Sequence, residues 1–212
     1  MSRAEHSPGT AADVPVSTPV AGARAVSLPP WAAVSEIRRA HIARVVELID
    51  GWATVLALPA AEREAWDDAA RWHDALRDAS EATLRAILAD ETQPAAADAA
   101  RGAPSDVAFL HGPAAAVRLA ADGERRADVL DAIRWHTVGS VGWTATGRAL
   151  YMADFLEPGR TFAQAERAAL ARRVPSDFDG VFREVVRMRV QWAVDAGKAL
   201  APQTVALWNA QR

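Results

Sequence analysis

Cysteine is absent from the 212-residue chain, which removes disulfides, zinc-thiolate centres and thiol nucleophiles from consideration. Any metal must therefore be held by nitrogen and oxygen. An excess of positive charge is missing too. With 24 Lys and Arg against 27 Asp and Glu, the net charge is -3, so nucleic acid has no basic footprint to meet, although arginine greatly outnumbers lysine. Long apolar runs are lacking as well. The longest uncharged apolar run beyond the N-terminal segment, Gly51 to Ala61, falls far short of the ~20 residues that cross a bilayer. These absences lead us to expect a cytoplasmic protein with neither a membrane nor a nucleic acid as partner. A homodimer is compatible with the composition.

β-branched runs are short, whereas alanine and leucine are abundant and apolar residues recur every three or four positions. That periodicity predicts an all-α fold. Half of the residues are apolar, enough for one sizeable core. Residues 1–28 are rich in Ser, Thr, Pro, Gly and Ala without a continuous apolar run, which predicts a disordered tail. Residues 29–212 are expected to form one domain.

The first helix is predicted from Trp31 to Leu58, after Pro29 and Pro30, with a buried stripe of Val34, Ile37, His41, Val45, Leu48 and Trp52. Arg38, Arg39 and Arg44 flank the stripe and read as a solvated face. A second helix is expected from Pro59 to Asp78, with His73 on the face shared by Trp66, Ala69 and Leu76 and with Asp74 beside it. Arg77 follows within reach of the same place. Ser80 suits the cap of a short helix to Leu88, and a polar connection from Asp90 to Pro104 has the composition of a mobile segment.

Ser105 is expected to cap the next helix, which presents His111 early, followed by Gly112 and Pro113. A helix from Arg125 to Thr137 places His136 with Val129 and Ile133 on its inner side. The loop from Thr137 to Ser140, which contains Gly139, offers hydroxyls and main-chain amides suited to an anion. A further helix from Thr144 carries Asp154 among Met152, Ala153, Phe155 and Leu156. Thr161 with Gln164 resembles a capping box, Ser176 is expected to cap a long helix to Leu200, and a last helix covers Thr204 to Ala210.

One buried His-Asp pair is ordinarily just a hydrogen-bonded core histidine. This chain, however, sets His41, His73, His111 and His136 on the apolar sides of four separate helices, and adds Asp74 and Asp154. Burying so many polar groups without a common partner is costly. A metal supplies the partner, and a nitrogen and oxygen donor set suits iron, manganese or another divalent ion. Six ligands exceed what one ion takes from protein when water and substrate must also bind. The count therefore predicts two metals sharing Asp74, as in many phosphoester hydrolases.

The order of these residues resembles the HD superfamily of metal-dependent phosphohydrolases, and within it the YqeK-type symmetrical bis-nucleosyl tetraphosphatases. Four segments carry the likeness: His73-Asp74-Ala75-Leu76-Arg77-Asp78, Leu110-His111-Gly112-Pro113, Ala132 to Gly139 with its His136-Thr137-x-Gly139 core, and Ala153-Asp154-Phe155-Leu156-Glu157-Pro158-Gly159-Arg160. The stretch from Pro202 to Asn209 adds to it. The resemblance implies an HD-domain helical bundle, a di-iron centre and hydrolysis of diadenosine tetraphosphate to two ADP. It also implies His41, His73, Asp74, His111, His136 and Asp154 as the metal ligands. The chain departs from the family at Arg77, where a lysine is usual, and at Ile42, where a small hydroxyl residue is usual.

The expected mechanism is attack of a metal-held hydroxide on an inner phosphorus of a dinucleoside polyphosphate, with Asp74 bridging the ions. Arg77 and Arg160 are expected to neutralise the phosphoryl charge, and Thr137 and Gly139 to orient the polyphosphate. The competing expectation is a metal-containing nucleotide-binding or regulatory module without efficient turnover. A purely structural helical protein, with histidines as core fillers, stands further off.

Overall fold

A computed structural model of the chain describes residues 26–90 and 106–212. The expected tail up to residue 25, the connection from residue 91 to Pro104 and the Ser105 cap lie outside the described residues. Among the described residues the fold is all-helical and contains no strand. The helices are α1 (Glu36–Val55), α2 (Ala60–Trp72), α3 (Glu81–Leu88), a 3₁₀ turn (Val107–Phe109), α4 (His111–Ala121), α5 (Ala127–Trp135), α6 (Ala145–Leu156), α7 (Gln164–Arg173), α8 (Phe178–Asp195) and α9 (Pro202–Ala210).

Helix α6 organises the bundle. Its sequence, from Ala145 through Gly147 and Ala149 to Leu156, is small or apolar on nearly every side, the pattern of a helix enclosed by others. All its residues from Thr146 to Leu156 except Arg148 are buried, and it packs against α1, α2, α5, α7 and α8. The core around it includes Ile49, Trp66, Ile133, Leu150 and Val185.

Several local expectations are corrected. Helix α1 begins at Glu36 rather than at Trp31, because the Ser35 side chain accepts from the Arg38 amide as an N-cap. The segment before it is strapped to the turn after α2 instead: Ala33 N donates to Ala75 O, Asp78 N to Ala33 O, and Ser35 N to Asp78 Oδ2. The buried stripe is also rotated, since Ile42 and Ile49 point inward while Ile37 is 84% exposed. Helix α2 stops at Trp72 rather than Asp78, with His73 as its C-cap. The 3₁₀ turn is capped by Asp106, whose side chain accepts from the Ala108 amide. Asp177, not Ser176, caps α8, and α7 starts after Ala163 in a left-handed conformation, with no side-chain cap from Thr161.

Candidate metal centre

Three of the four inward histidines stand where a helix begins or ends, and that position settles which ring nitrogen faces inward. At a helix end the carbonyls of the neighbouring turn lack their usual partners. His73 Nδ1 donates to Ala70 O at 2.8 Å, His136 Nδ1 to Ile133 O at 2.7 Å, and His111 Nδ1 to Ala108 O at 3.1 Å. In each neutral ring this leaves Nε2 as a bare acceptor aimed inward. His41 lies inside α1, where no such carbonyl is free, and its Nδ1 faces Glu157 Oε1 at 3.2 Å.

All six sequence-predicted ligands are buried, and they meet around Asp74. Its Oδ1 lies 3.2 Å from His111 Nε2 and 3.4 Å from His136 Nε2. Its Oδ2 lies 3.6 Å from His41 Nε2 and 3.5 Å from His73 Nε2. Two clusters that could each hold an ion share this carboxylate: His41, His73 and Asp74, and Asp74, His111 and His136. Asp154 joins the first through Oδ1, 3.2 Å from His41 Nε2. Thr137 Oγ1 joins the second, 3.1 Å from His136 Nε2.

The donor set fits a cation. His111 and His136 present their Nε2 atoms to each other at 3.0 Å, and with both Nδ1 protons committed elsewhere neither neutral ring can donate to the other. Acceptors facing acceptors repel unless a positive centre lies between them. Two imidazoles each about 2.1 Å from one ion, at 90–110° apart, would have nitrogens separated by about 3.0–3.4 Å. The observed separations are 3.0 Å here and 3.4 Å between His41 and His73.

Charge is balanced by neighbouring arginines. Burial opposes ionisation of Asp74, but His73, His111 and His136 outweigh it and hold the carboxyl well below its ordinary range. For Asp154, burial is likewise overcome by Arg160, His41 and Arg189. Glu157 is brought down to about 2, against burial, by His41, Arg44 and the Gly159 amide. The histidines split. Complete burial lowers His73 to about 4 despite Asp74, and burial also lowers His111. At His41 burial lowers the value, but Asp154, Glu157 and Asp74 together raise it to about 9.

The remaining predicted residues are placed unevenly. Arg160 clamps Asp154, donating Nη2 to Oδ1 at 2.6 Å and Nε to the main-chain carbonyl at 2.9 Å. Arg77 lies half-buried near His111, its Nη1 directed at Ala108 O at 3.5 Å. Gly139 departs from its expected part as an anion donor. Its amide donates to Trp135 O at 2.7 Å, closing the end of α5, and its φ of 90° and a Cβ position 2.5 Å from Leu207 explain why glycine is needed there.

Four further residues escaped the sequence reading. Arg38 donates Nη1 to Asp74 Oδ2 at 2.7 Å, and Arg44 donates Nε to Glu157 Oε2 at 2.5 Å, so the presumed solvated face of α1 turns two guanidiniums toward the centre. Glu157 had been visible only within the family-like segment from Ala153 to Arg160, three residues after Asp154 and without a role of its own. Arg189, on α8, reaches Asp154 Oδ2 at 2.5 Å. Its signal was an arginine three and four residues from the inward Val186 and Val185.

No protein-family model matches the chain. It is 25% identical over 142 residues to the symmetrical bis(5'-nucleosyl)-tetraphosphatase of Bacillus subtilis, covering 66% of this chain and 73% of that one. The protein of the same name from Halalkalibacterium halodurans is 26% identical over 102 residues, 48% of this chain and 54% of the relative. That from Staphylococcus aureus is 42% identical over 54 residues, 25% and 28% respectively. A crystal structure described as a predicted HD superfamily hydrolase involved in NAD metabolism, from Clostridium acetobutylicum, superposes with a TM-score of 0.68 at 23% identity, covering 84% of this chain and 90% of that one. This chain thus has the fold of an HD-superfamily hydrolase and is similar in sequence to the symmetrical bis(5'-nucleosyl)-tetraphosphatases.

Proposed function

We propose that the protein is a di-metal phosphohydrolase that cleaves dinucleoside polyphosphates, with diadenosine tetraphosphate giving two ADP. The observation that carries this reading is the Asp74 carboxylate, whose two oxygens face two separate histidine pairs. Two divalent ions, iron first and manganese or another divalent ion next, would supply water activation and polarisation of a phosphoryl oxygen when bound.

The residues of the chain divide the remaining tasks. His41, His73, His111 and His136, whose Nε2 atoms converge on Asp74, would hold the ions together with Asp74 and Asp154. Arg77 and Arg160 stand at the rim, half-buried, where a guanidinium can take up phosphoryl charge that grows as the bond to the leaving nucleotide breaks. The Thr137 hydroxyl, beside both Nε2 atoms of its cluster, can orient a bound phosphate. Gly139 serves this site by shaping the loop that presents Thr137.

The test is to measure metal per chain in the purified protein and to analyse the products formed from diadenosine tetraphosphate. About two ions per chain and ADP alone are expected, and Asp74→Ala should abolish both metal loading and turnover. ATP plus AMP would refute the symmetrical cleavage. A loaded protein that yields no product would instead be the nucleotide-binding module.

A further inference from the structure

Asp154 is the one proposed ligand whose two oxygens are divided between arginines from different parts of the fold. Oδ1 receives Arg160 Nη2 at 2.6 Å and faces His41 Nε2 at 3.2 Å. Oδ2 receives Arg189 Nη2 at 2.5 Å. Arg189 comes from α8, which supplies none of the proposed ligands, yet only 15% of its side chain is exposed.

The guanidinium is fixed independently of Asp154. Its Nη1 donates to His136 O at 3.2 Å and to Thr137 O at 3.4 Å. Its Cζ lies 4.0 Å from the centroid of the Tyr151 ring, itself fully buried, so a weakly hydrated planar cation is favoured there over a compact one. A carboxylate with one oxygen committed to such an anchor cannot swing, and only the other oxygen remains toward the histidines.

We infer that Arg189 is a positioning residue that makes Asp154 a one-oxygen ligand of the His41 and His73 half of the centre, presenting Oδ1 by holding Oδ2. This rests on the di-metal reading proposed above. The main-chain contacts and the Tyr151 face keep Arg189 still, and the Asp154 contact is the one through which it acts. Groups that orient metal ligands in this way typically change metal affinity by about 10–100-fold when removed.

The experiment titrates the metal-stripped full chain with Mn²⁺, followed by calorimetry and by the electron paramagnetic resonance of the bound ion, in the wild type, Arg189→Met and Arg189→Lys. Methionine keeps apolar contact with Tyr151, and lysine can still reach Asp154 without spanning the carbonyls. The wild type is expected to take two ions in two resolved steps. In Arg189→Met one step should weaken at least about tenfold while the other keeps its affinity, with loss of the coupled two-ion signal; Arg189→Lys should recover part of the weakened step. Thermal unfolding of each metal-free variant verifies that it is folded. If both steps stay at wild-type affinity, or both weaken together in proportion to lost thermal stability, the inference is overturned and Arg189 is scaffold alone. A wild type that binds no Mn²⁺ or Fe²⁺ would instead overturn the di-metal reading itself.

Discussion

Replacing Gly112 with alanine tests whether main-chain contact between α4 and the end of α5 brings His111 and His136 together. Gly112 is the second residue of α4, directly after His111. A Cβ added there would lie 2.7 Å from Ile133 O, 3.0 Å from Arg134 O and 3.2 Å from His136 Cε1. Two of these atoms are backbone, and Ile133 O is already engaged by His136 Nδ1, so neither can turn aside as a flexible side chain would. The shortest contact must open by roughly 0.7 Å to reach ordinary separation, and the 3.0 Å approach of the two Nε2 atoms opens with it. Helix propensity argues the other way, since alanine is worth about 0.5–1 kcal/mol over glycine within a helix. Overpacking a tight site costs about 1–3 kcal/mol, and against unyielding backbone the upper part of that range applies. A net loss of about 1–2 kcal/mol is expected, which for a chain of this size lowers the unfolding midpoint by roughly 2–8 °C. Thermal unfolding of the metal-free protein measures it, and metal titration should show weaker binding at the His111 and His136 half. A midpoint that holds or rises, together with unchanged metal affinity, would refute the reasoning.

The other predictions concern His41 and its support. In the metal-free protein His41 has a value of about 9 against an ordinary 6.5, so binding an ion through Nε2 must displace a proton. Metal affinity at that half should therefore rise with pH, by up to about tenfold per unit below pH 9, and calorimetry in buffers of different ionisation enthalpy should register the released proton. A pH-independent affinity between 6 and 8 would contradict it. The same raised value makes the contribution of His41 to metal-free stability fully present below pH 6.5 and lost as pH rises through 9. His73, at about 4 when folded, acts in the opposite sense: its contribution is present above 6.5 and is lost as pH falls toward 4. Urea midpoints of metal-free protein and of metal-free His41→Asn across pH 5–10 separate the two. Glu157→Gln should leave the fold intact, because the amide can still accept from the Gly159 amide, yet lower metal affinity by about 10–100-fold; equal affinity in the variant would remove Glu157 from the site.

What the sequence disclosed depended on contrast. A histidine or aspartate on an apolar stripe stands out against its neighbours, so the six inward groups were legible although the register of the first helix was misjudged. That register could be read two ways, since Ile37 and Ile42 are both apolar and only packing decides that Ile42 is enclosed and Ile37 exposed. Caps failed for a related reason. Ser176 and Asp177 are adjacent and both chemically able, and a one-residue difference in where the helix starts selects the aspartate. Arginines were misread most. On a short window Arg38 and Arg44 look like ordinary surface charge, Arg189 shows only its spacing from Val185 and Val186, and none of this reveals which carboxylates distant in sequence await them. Glu157 stood inside a segment that carried the family likeness, but nothing near it in sequence pointed to His41 or Arg44, the partners that draw it into the site.

The division of the histidines into two kinds makes the two halves of the centre chemically unequal, because only the His41 and His73 half contains a ring supported by a carboxylate at Nδ1. His73, His111 and His136 each spend the Nδ1 proton on a carbonyl three residues earlier, a bond available only because a helix stops or starts there. Moving that helix end by one residue would withdraw the carbonyl, so these rings are governed by backbone and respond to side-chain changes only through packing, as at Gly112. His41 sits mid-helix, where the carbonyls are already paired, and must borrow a carboxylate from the far end of α6. Carboxylates raise the basicity of a ring in a way that a neutral carbonyl cannot, and Asp154, Glu157 and Asp74 together, against burial, carry His41 far above its ordinary value. It follows that the His41 half should be the one tuned by pH and by substitutions at Glu157 and Arg189. The His111 and His136 half, built on main chain, should keep its ion under the same perturbations and release it when α4 and α5 are forced apart.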